Sequence, residues 1–150
     1  MEGRFGADSE TRCCRGADLN RLLLDATFLI DTERSNASLD EVIRDEDDVA
    51  IAAITVAELQ VGVVLAGGKT RRVRQELLEE ILRVVPIVAY DLAVARAHAQ
   101  LLFAVRQRGR TRGAHDLIIA ATALSSNRSV VTADRTAFSE LPGVVPVFYR

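Results

Sequence analysis

The chain contains no tryptophan, and aromatic residues fill only 5% of its 150 positions. Such scarcity argues against a stacking platform for single-stranded nucleic acid. It argues equally against an aromatic-rich β-sandwich. Long apolar runs are also missing, since none approaches the roughly 18 residues that a helical membrane span requires. Residues 1–20 hold no hydrophobic segment of the secretory kind, so a cytoplasmic location with no membrane partner is expected. Cysteine is confined to Cys13 and Cys14. Adjacent cysteines make a poor structural disulfide, and with no further cysteine nearby they make no zinc site. Neither a GxGxxG turn nor a P-loop occurs, which disfavours a nucleotide-binding enzyme. Lysine is almost absent, Lys69 being the only one, so the positive charge is nearly all arginine. A formal net charge of −2 gives no global field that would attract a nucleic acid. Local arginine clusters therefore matter more than the total, because guanidinium groups bind phosphate bidentately.

What the chain does have is aliphatic mass, with 49% of its residues hydrophobic. Short continuous apolar runs at Leu22–Leu24, Val49–Ala53, Val85–Val88 and Ser129–Thr132 read as strands buried on both faces. A fifth run, Val144–Phe148, contains Pro146 and so belongs at a sheet edge. Helical spacing fills the intervals. It recurs at Val73, Leu77, Leu78, Ile81 and Val84, and again at Leu92, Ala95, Ala99, Leu102 and Phe103. A further helix is expected from Thr55 to Leu65, stopped by Gly67-Gly68. The segment from Asp116 to Leu124 is apolar nearly all round and should be a central, buried helix. Strands alternating with helices imply parallel βαβ units and a three-layer α/β/α fold with a mainly parallel sheet. Residues 1–20, polar and without apolar period, read as a disordered extension, leaving one domain over residues 21–150.

In an open parallel sheet, ligands bind beyond the carboxyl ends of the strands. Asp25 closes the first apolar run, Asp134 follows the fourth, and Glu58 lies one turn into the helix after the second. Asp116 opens the buried helix that leads into the fourth strand. Four carboxylates converging on one edge would repel one another. A hard divalent cation, Mg²⁺ or Mn²⁺, relieves that repulsion, activates bound water and stabilises charge on a phosphoryl oxygen. Each acid also has a purely structural account. Thr55-Val56-Ala57-Glu58 has the form of a capping box. Asp116 complements a helix dipole, and Asp134 suits a turn before Arg135. Asp25 is the hardest to explain that way, since a carboxylate at a buried strand end is costly without a partner.

The segments around these acids resemble the four motifs of PIN domains, specifically the VapC branch, the toxins of bacterial toxin–antitoxin pairs. Leu23-Leu24-Asp25-Ala26-Thr27-Phe28-Leu29-Ile30 is similar to the first motif, and Ile54 to Gly62 to the second. Ala114-His115-Asp116-Leu117-Ile118-Ile119-Ala120-Ala121-Thr122-Ala123 resembles the third, and Val130 to Phe138 the fourth. The resemblance spans Leu22 to Tyr149. It implies a Mg²⁺- or Mn²⁺-dependent endoribonuclease with Asp25, Glu58, Asp116 and Asp134 as its acidic metal site. Thr27 would place a hydroxyl near the metal or phosphate, and Thr132 would support the last acid. His115 stands where many members carry asparagine and Ala26 where threonine is frequent. His115 is expected either to contact substrate or orient water, or to pack at the helix start. A cognate VapB-type antitoxin, an RNA substrate and a homodimer are the implied partners.

Arg106, Arg108, Arg110 and Arg112 alternate just before His115. They read either as surface charge or as a strip that binds RNA phosphates, with Arg108, Arg110 and Arg112 nearest the site. The acidic stretch Asp40, Glu41, Asp45, Glu46, Asp47 and Asp48 is assigned to solvent. The helices around Thr55–Leu65 and Val73–Val84 carry apolar positions that look exposed. Two other classes fit less well. A receiver-like signalling domain wants a lysine after the last strand, whereas Lys69 lies in mid-chain. A non-catalytic interaction module has no need of all four acids. No Ser-His-Asp or Cys-His arrangement competes, and His98 falls within a helix.

Overall fold

A computed structural model describes residues 19–34 and 43–150. Most of the expected extension, together with Cys13, Cys14, Asp40 and Glu41, lies outside the described residues. The elements run in the order β1 (Arg21–Leu24), α1 (Ala26–Arg34), β2 (Asp48–Ala52), α2 (Ala53–Leu65) and α3 (Gly68–Val84). They continue as β3 (Ile87–Val88), α4 (Leu92–Gln107), α5 (Ala114–Ser125), β4 (Ser129–Thr132) and β5 (Pro146–Phe148). The strands form one five-stranded sheet in the order β3-β2-β1-β4-β5. Every neighbouring pair is parallel.

The strand residues divide between two cores, which is why the sheet is covered on both sides. Leu23, Ala50, Ala52 and Val130 face one cluster, shared with Val94 and Leu101 of α4 and with Leu117, Ile119 and Ala120 of α5. Leu22, Leu24, Ile51 and Val131 point the opposite way, against Phe28 and Leu29 of α1 and Ile81 of α3. Alternate residues of a strand face opposite sides, so a run such as Leu22-Leu23-Leu24 can only be buried throughout if both faces carry helices. The three-layer α/β/α architecture expected from the sequence is therefore present. Pro146 begins β5 at the sheet edge, where its missing N–H costs no ladder bond. The adjacent carbonyl of Val145 accepts from the Val130 N–H at 2.9 Å.

Helix α2 differs from the sequence reading in its start and in what stops it, while its last residue, Leu65, is the one expected. Helix α2 starts at Ala53, not Thr55, with Ala52 at its N-cap making no side-chain cap bond. Thr55 lies inside the first turn, fully buried, and its hydroxyl has no partner among the described residues. The capping-box pattern is thus coincidental, and Glu58 is free of that duty. At its other end α2 stops at Ala66, where the Arg71 guanidinium takes up the carbonyls of Val64 at 2.7 Å and Ala66 at 2.8 Å. Gly67 serves instead as the N-cap of α3, and Gly68 turns the corner with a positive φ of 53°.

The end of α5 is a Schellman turn. Asn127 takes a left-handed φ of 52°, the Asn127 N–H donates to the Leu124 carbonyl, and the Arg128 N–H donates to the Ala123 carbonyl. This delivers Arg128 to the amino edge of the sheet, where it pairs with Asp48. Asp48 is consequently an ion-pair partner and not the solvated charge that its place in an acidic stretch suggested. Among the described residues no helix is long and apolar enough to cross a membrane.

Candidate active site

The chain builds its sheet outward in one direction through β1, β2 and β3, then returns to place β4 on the other side of β1. That reversal makes the β1/β4 junction the topological switch point, the crevice where open parallel sheets bind ligands. Asp25 follows β1 and Asp134 follows β4, so both emerge at this junction. The Asp25 N–H donates to the Val131 carbonyl at 3.0 Å, locking the two strand ends together.

Asp25 is 5% exposed, and its burial cost is met by three donors. The Ala26 N–H donates to Oδ1 at 2.8 Å. The hydroxyls of Thr27 and Thr132 donate to Oδ2 at 3.0 and 2.8 Å. Thr132 also accepts the Asp134 N–H at 3.0 Å, so one hydroxyl supports both the first acid and the backbone of the last. Asp134 spends one carboxylate oxygen on its own turn. Oδ1 accepts from the Thr136 N–H, the Thr136 hydroxyl and the Ala137 N–H. Those bonds hold its carboxyl below the usual range.

Glu58 and Asp116 behave oppositely. Burial pushes the Glu58 carboxyl up, with Asp25 and Asp116 adding to the effect while a hydrogen bond from His115 opposes it. Burial likewise raises Asp116, reinforced by the charges of Asp25 and Asp134 and only partly offset by His115 and Arg112. Asp116 lies in the first turn of α5 but accepts no hydrogen bond among the described residues. His115 Nδ1 lies 2.9 Å from Glu58 Oε1, joining α5 to α2 across 57 positions of sequence. This pairing with Glu58 was not among the roles expected of His115 from the sequence.

All four acids are therefore brought to one edge, each on the helix or strand end expected. Among the described residues, no three His, Cys, Asp or Glu side chains stand close enough to form a finished coordination set. Carboxylates without a counter-ion repel, so an open spacing follows from the same physics as the raised acidities. The donor chemistry fits a hard cation: oxygen only, with Asp116, one oxygen of Glu58 and one of Asp134 uncommitted.

The arginines are placed differently from a free strip. Arg108 donates to the Glu140 carbonyl and Arg110 to the Glu140 carboxylate. Arg112 donates to the carbonyls of Thr136 at 2.8 Å and Ser139 at 2.9 Å. They staple the segment before α5 to the segment after Asp134. His98, within α4, meets the Tyr90 hydroxyl at 2.9 Å and is remote from the acids in role. Gly113 leaves no signature in the sequence beyond its place three residues before an acid at a helix start.

Fold and site together define an α/β domain with under-compensated carboxylates at its switch point. A family model described as the PIN domain matches residues 22–144. The toxin FitB of Neisseria gonorrhoeae is 38% identical over 112 residues, covering 71% of this chain and 78% of that protein. Ribonuclease VapC5 of Mycobacterium tuberculosis is 34% identical, covering 83% and 90% respectively. The crystal structure of FitAcB from Neisseria gonorrhoeae superposes with a TM-score of 0.72 at 34% identity, over 84% of this chain and 96% of that one. The chain belongs to the PIN-domain family, among its VapC and FitB members.

Proposed function

We propose that this chain is the endoribonuclease toxin of a type II toxin–antitoxin pair, cleaving RNA with a divalent cation held by Asp25, Glu58, Asp116 and Asp134. Relatives that share more than two thirds of its length are named ribonucleases and toxins, and a related solved structure, VapBC-5 of Mycobacterium tuberculosis, is a member of the VapBC family of toxin–antitoxin systems. The observation that carries the reading is the state of Asp116 and Glu58. Two half-buried carboxylates are raised by burial and by acidic neighbours, an arrangement a cation relieves. The ion is Mg²⁺ or Mn²⁺, since both favour carboxylate oxygen. When bound, it would supply a water of lowered pKa and a positive charge for the phosphoryl oxygens.

The chain's own residues do the rest. Thr27 and Thr132 fix Asp25, so one member of the donor set is rigid before any ligand arrives. His115 holds one oxygen of Glu58 and leaves the other free. The turn at Thr136 and Ala137 sets Asp134 by one oxygen, leaving the second to face the site or its solvent. Arg112 reduces the net negative charge beside Asp116 and Asp134, which lessens repulsion of an approaching phosphodiester. Arg110 and Arg108 flank this rim as phosphate contacts. A VapB-type antitoxin is the cognate partner, with the exposed Val61, Val64 and Leu65 of α2 among the surfaces open to it or to a second copy. The proposal places the catalytic domain at residues 21–150 and its action in the cytoplasm.

The test is cleavage of a structured RNA by the full chain with Mg²⁺ or Mn²⁺, set against Asp25→Asn and against wild type in EDTA. Both controls are expected to fall to the background of RNA alone. Cleavage that persists in both overturns the metal–carboxylate mechanism.

A further inference from the structure

We infer that Gly113 is a positioning residue for the Asp116 carboxylate, present because a side chain there would occupy the space that carboxylate uses. This rests on the proposed metal role of Asp116 and extends it to a residue that touches neither metal nor substrate.

The backbone of Gly113 gives no reason for glycine. Its φ of −57° and ψ of 138° are open to any L-residue. It is also the N-cap of α5 without a side-chain cap bond, a position that glycine fills about as well as threonine. The reason lies in one neighbour. A Cβ built on Gly113 would stand 2.6 Å from Asp116 Oδ2 and 3.4 Å from its Cγ. All the atoms it would meet within 4 Å belong to Asp116. The carboxylate folds back over the start of its own helix, and the missing Cβ is the room it lies in.

The consequence of adding that Cβ follows from which group can move. The obstructed atom is the far end of an aspartate side chain, not backbone, so the clash is relieved by rotating Asp116 away. Gly113 is exposed and its conformation accepts alanine, so the fold has no need to change. Asp116 accepts no hydrogen bond among the described residues, so none is lost in that rotation. Rotation moves the donor oxygen from the place it now holds, where the charges of Asp25 and Asp134 bear on it. Loss of a residue that orients a metal ligand typically weakens binding by roughly 10- to 100-fold.

Gly113→Ala separates this from a structural role. Three measurements apply: the crystal structure of the metal-free variant, Mn²⁺ affinity by calorimetry or paramagnetic resonance, and thermal unfolding in EDTA. Expected are an Asp116 side chain in a different rotamer, Mn²⁺ binding weakened by roughly tenfold or more, and a midpoint within about 2 °C of wild type. An Asp116 side chain that stays in place overturns the inference, as does wild-type Mn²⁺ affinity in the variant. A wild-type protein that binds no Mn²⁺ overturns the metal reading on which the inference stands, whatever the rotamer shows.

Discussion

At the amino edge of the sheet, Asp48 meets Arg128 Nη1 at 3.0 Å and Arg21 Nη1 at 3.0 Å, while Arg128 also donates to the Asp48 carbonyl at 2.7 Å. At the carboxyl edge, Asp116 and Glu58 share space with Asp25 and Asp134, opposed among the described residues by His115 and, at Asp116, by Arg112. The contrast appears in their acidities. The guanidinium of Arg128 holds the Asp48 carboxyl below its ordinary 3.8, whereas burial among acids lifts Asp116 above 3.8 and Glu58 above 4.5. One edge is neutralised from within and ties β1, β2 and β4 together. The other is left for an outside charge to complete. Strain of that kind marks sites of function more often than sites of stability.

The largest effect comes from exchanging acids for amides at the two edges. Asp116→Asn is expected to take RNA cleavage to background while raising the unfolding midpoint in EDTA, because it removes a destabilised charge. Asp48→Asn is expected to leave cleavage per folded molecule unchanged and to lower the midpoint. The pH dependence has opposite sign at the two edges. Asp48, with a lowered folded value, contributes stability that is present above 3.8 and lost as pH falls through that folded value. Asp116, with a raised folded value, contributes stability that is present below 3.8 and lost as pH rises through its folded value. In chemical unfolding between roughly pH 3 and 7, the advantage of Asp116→Asn should therefore grow with pH from its acid end. The deficit of Asp48→Asn should shrink as the solution becomes acid. Equal pH profiles for the two variants would dissolve the comparison.

Arg128 carries the next effect, on stability alone. Its side chain is 9% exposed, and it bonds both the backbone and the carboxylate of Asp48. Its Nε is buried without a partner among the described residues, so part of the gain is already offset. Arg128→Met keeps the apolar stem but leaves Asp48 without its main counter-charge. We expect a loss of stability in equilibrium unfolding, with cleavage per folded molecule retained. A variant as stable as wild type would mean that desolvation cancels the pairing.

Which of these features the sequence reveals depends on their range. The apolar runs of β1 and β4 are legible because strands buried on both faces have little choice of residue. Pro146 is legible because it lacks an N–H. The acids stand out because Asp25 interrupts such a run and the other three lie at element ends. Asp48 was hidden by its acidic neighbours, and its partner Arg128 is 80 positions away with no periodic signature. The start of α2 was misread because Thr55-Val56-Ala57-Glu58 has the spelling of a capping box, while packing had turned Thr55 inward. The pairing of His115 with Glu58 and the crowding of Gly113 by Asp116 depend on side-chain direction, which no spacing encodes.

The smallest effect is expected at Arg110, and it decides how far the carboxyl edge extends. Its ion pair with Glu140 joins side chains that are 63% and 56% exposed, and such surface pairs contribute under about 1 kcal/mol. Arg110→Ala should thus leave the unfolding midpoint nearly unchanged. If Arg110 gives up Glu140 for an RNA phosphate, affinity for RNA measured across a salt series should lose about one unit of slope. Arg112, committed to the carbonyls of Thr136 and Ser139, has less freedom to do this. Its removal should disturb the turn that holds Asp134 before it changes the slope. An unchanged slope for Arg110→Ala would return the arginines to a purely structural staple, and the charge contrast between the two edges would then end at the four acids.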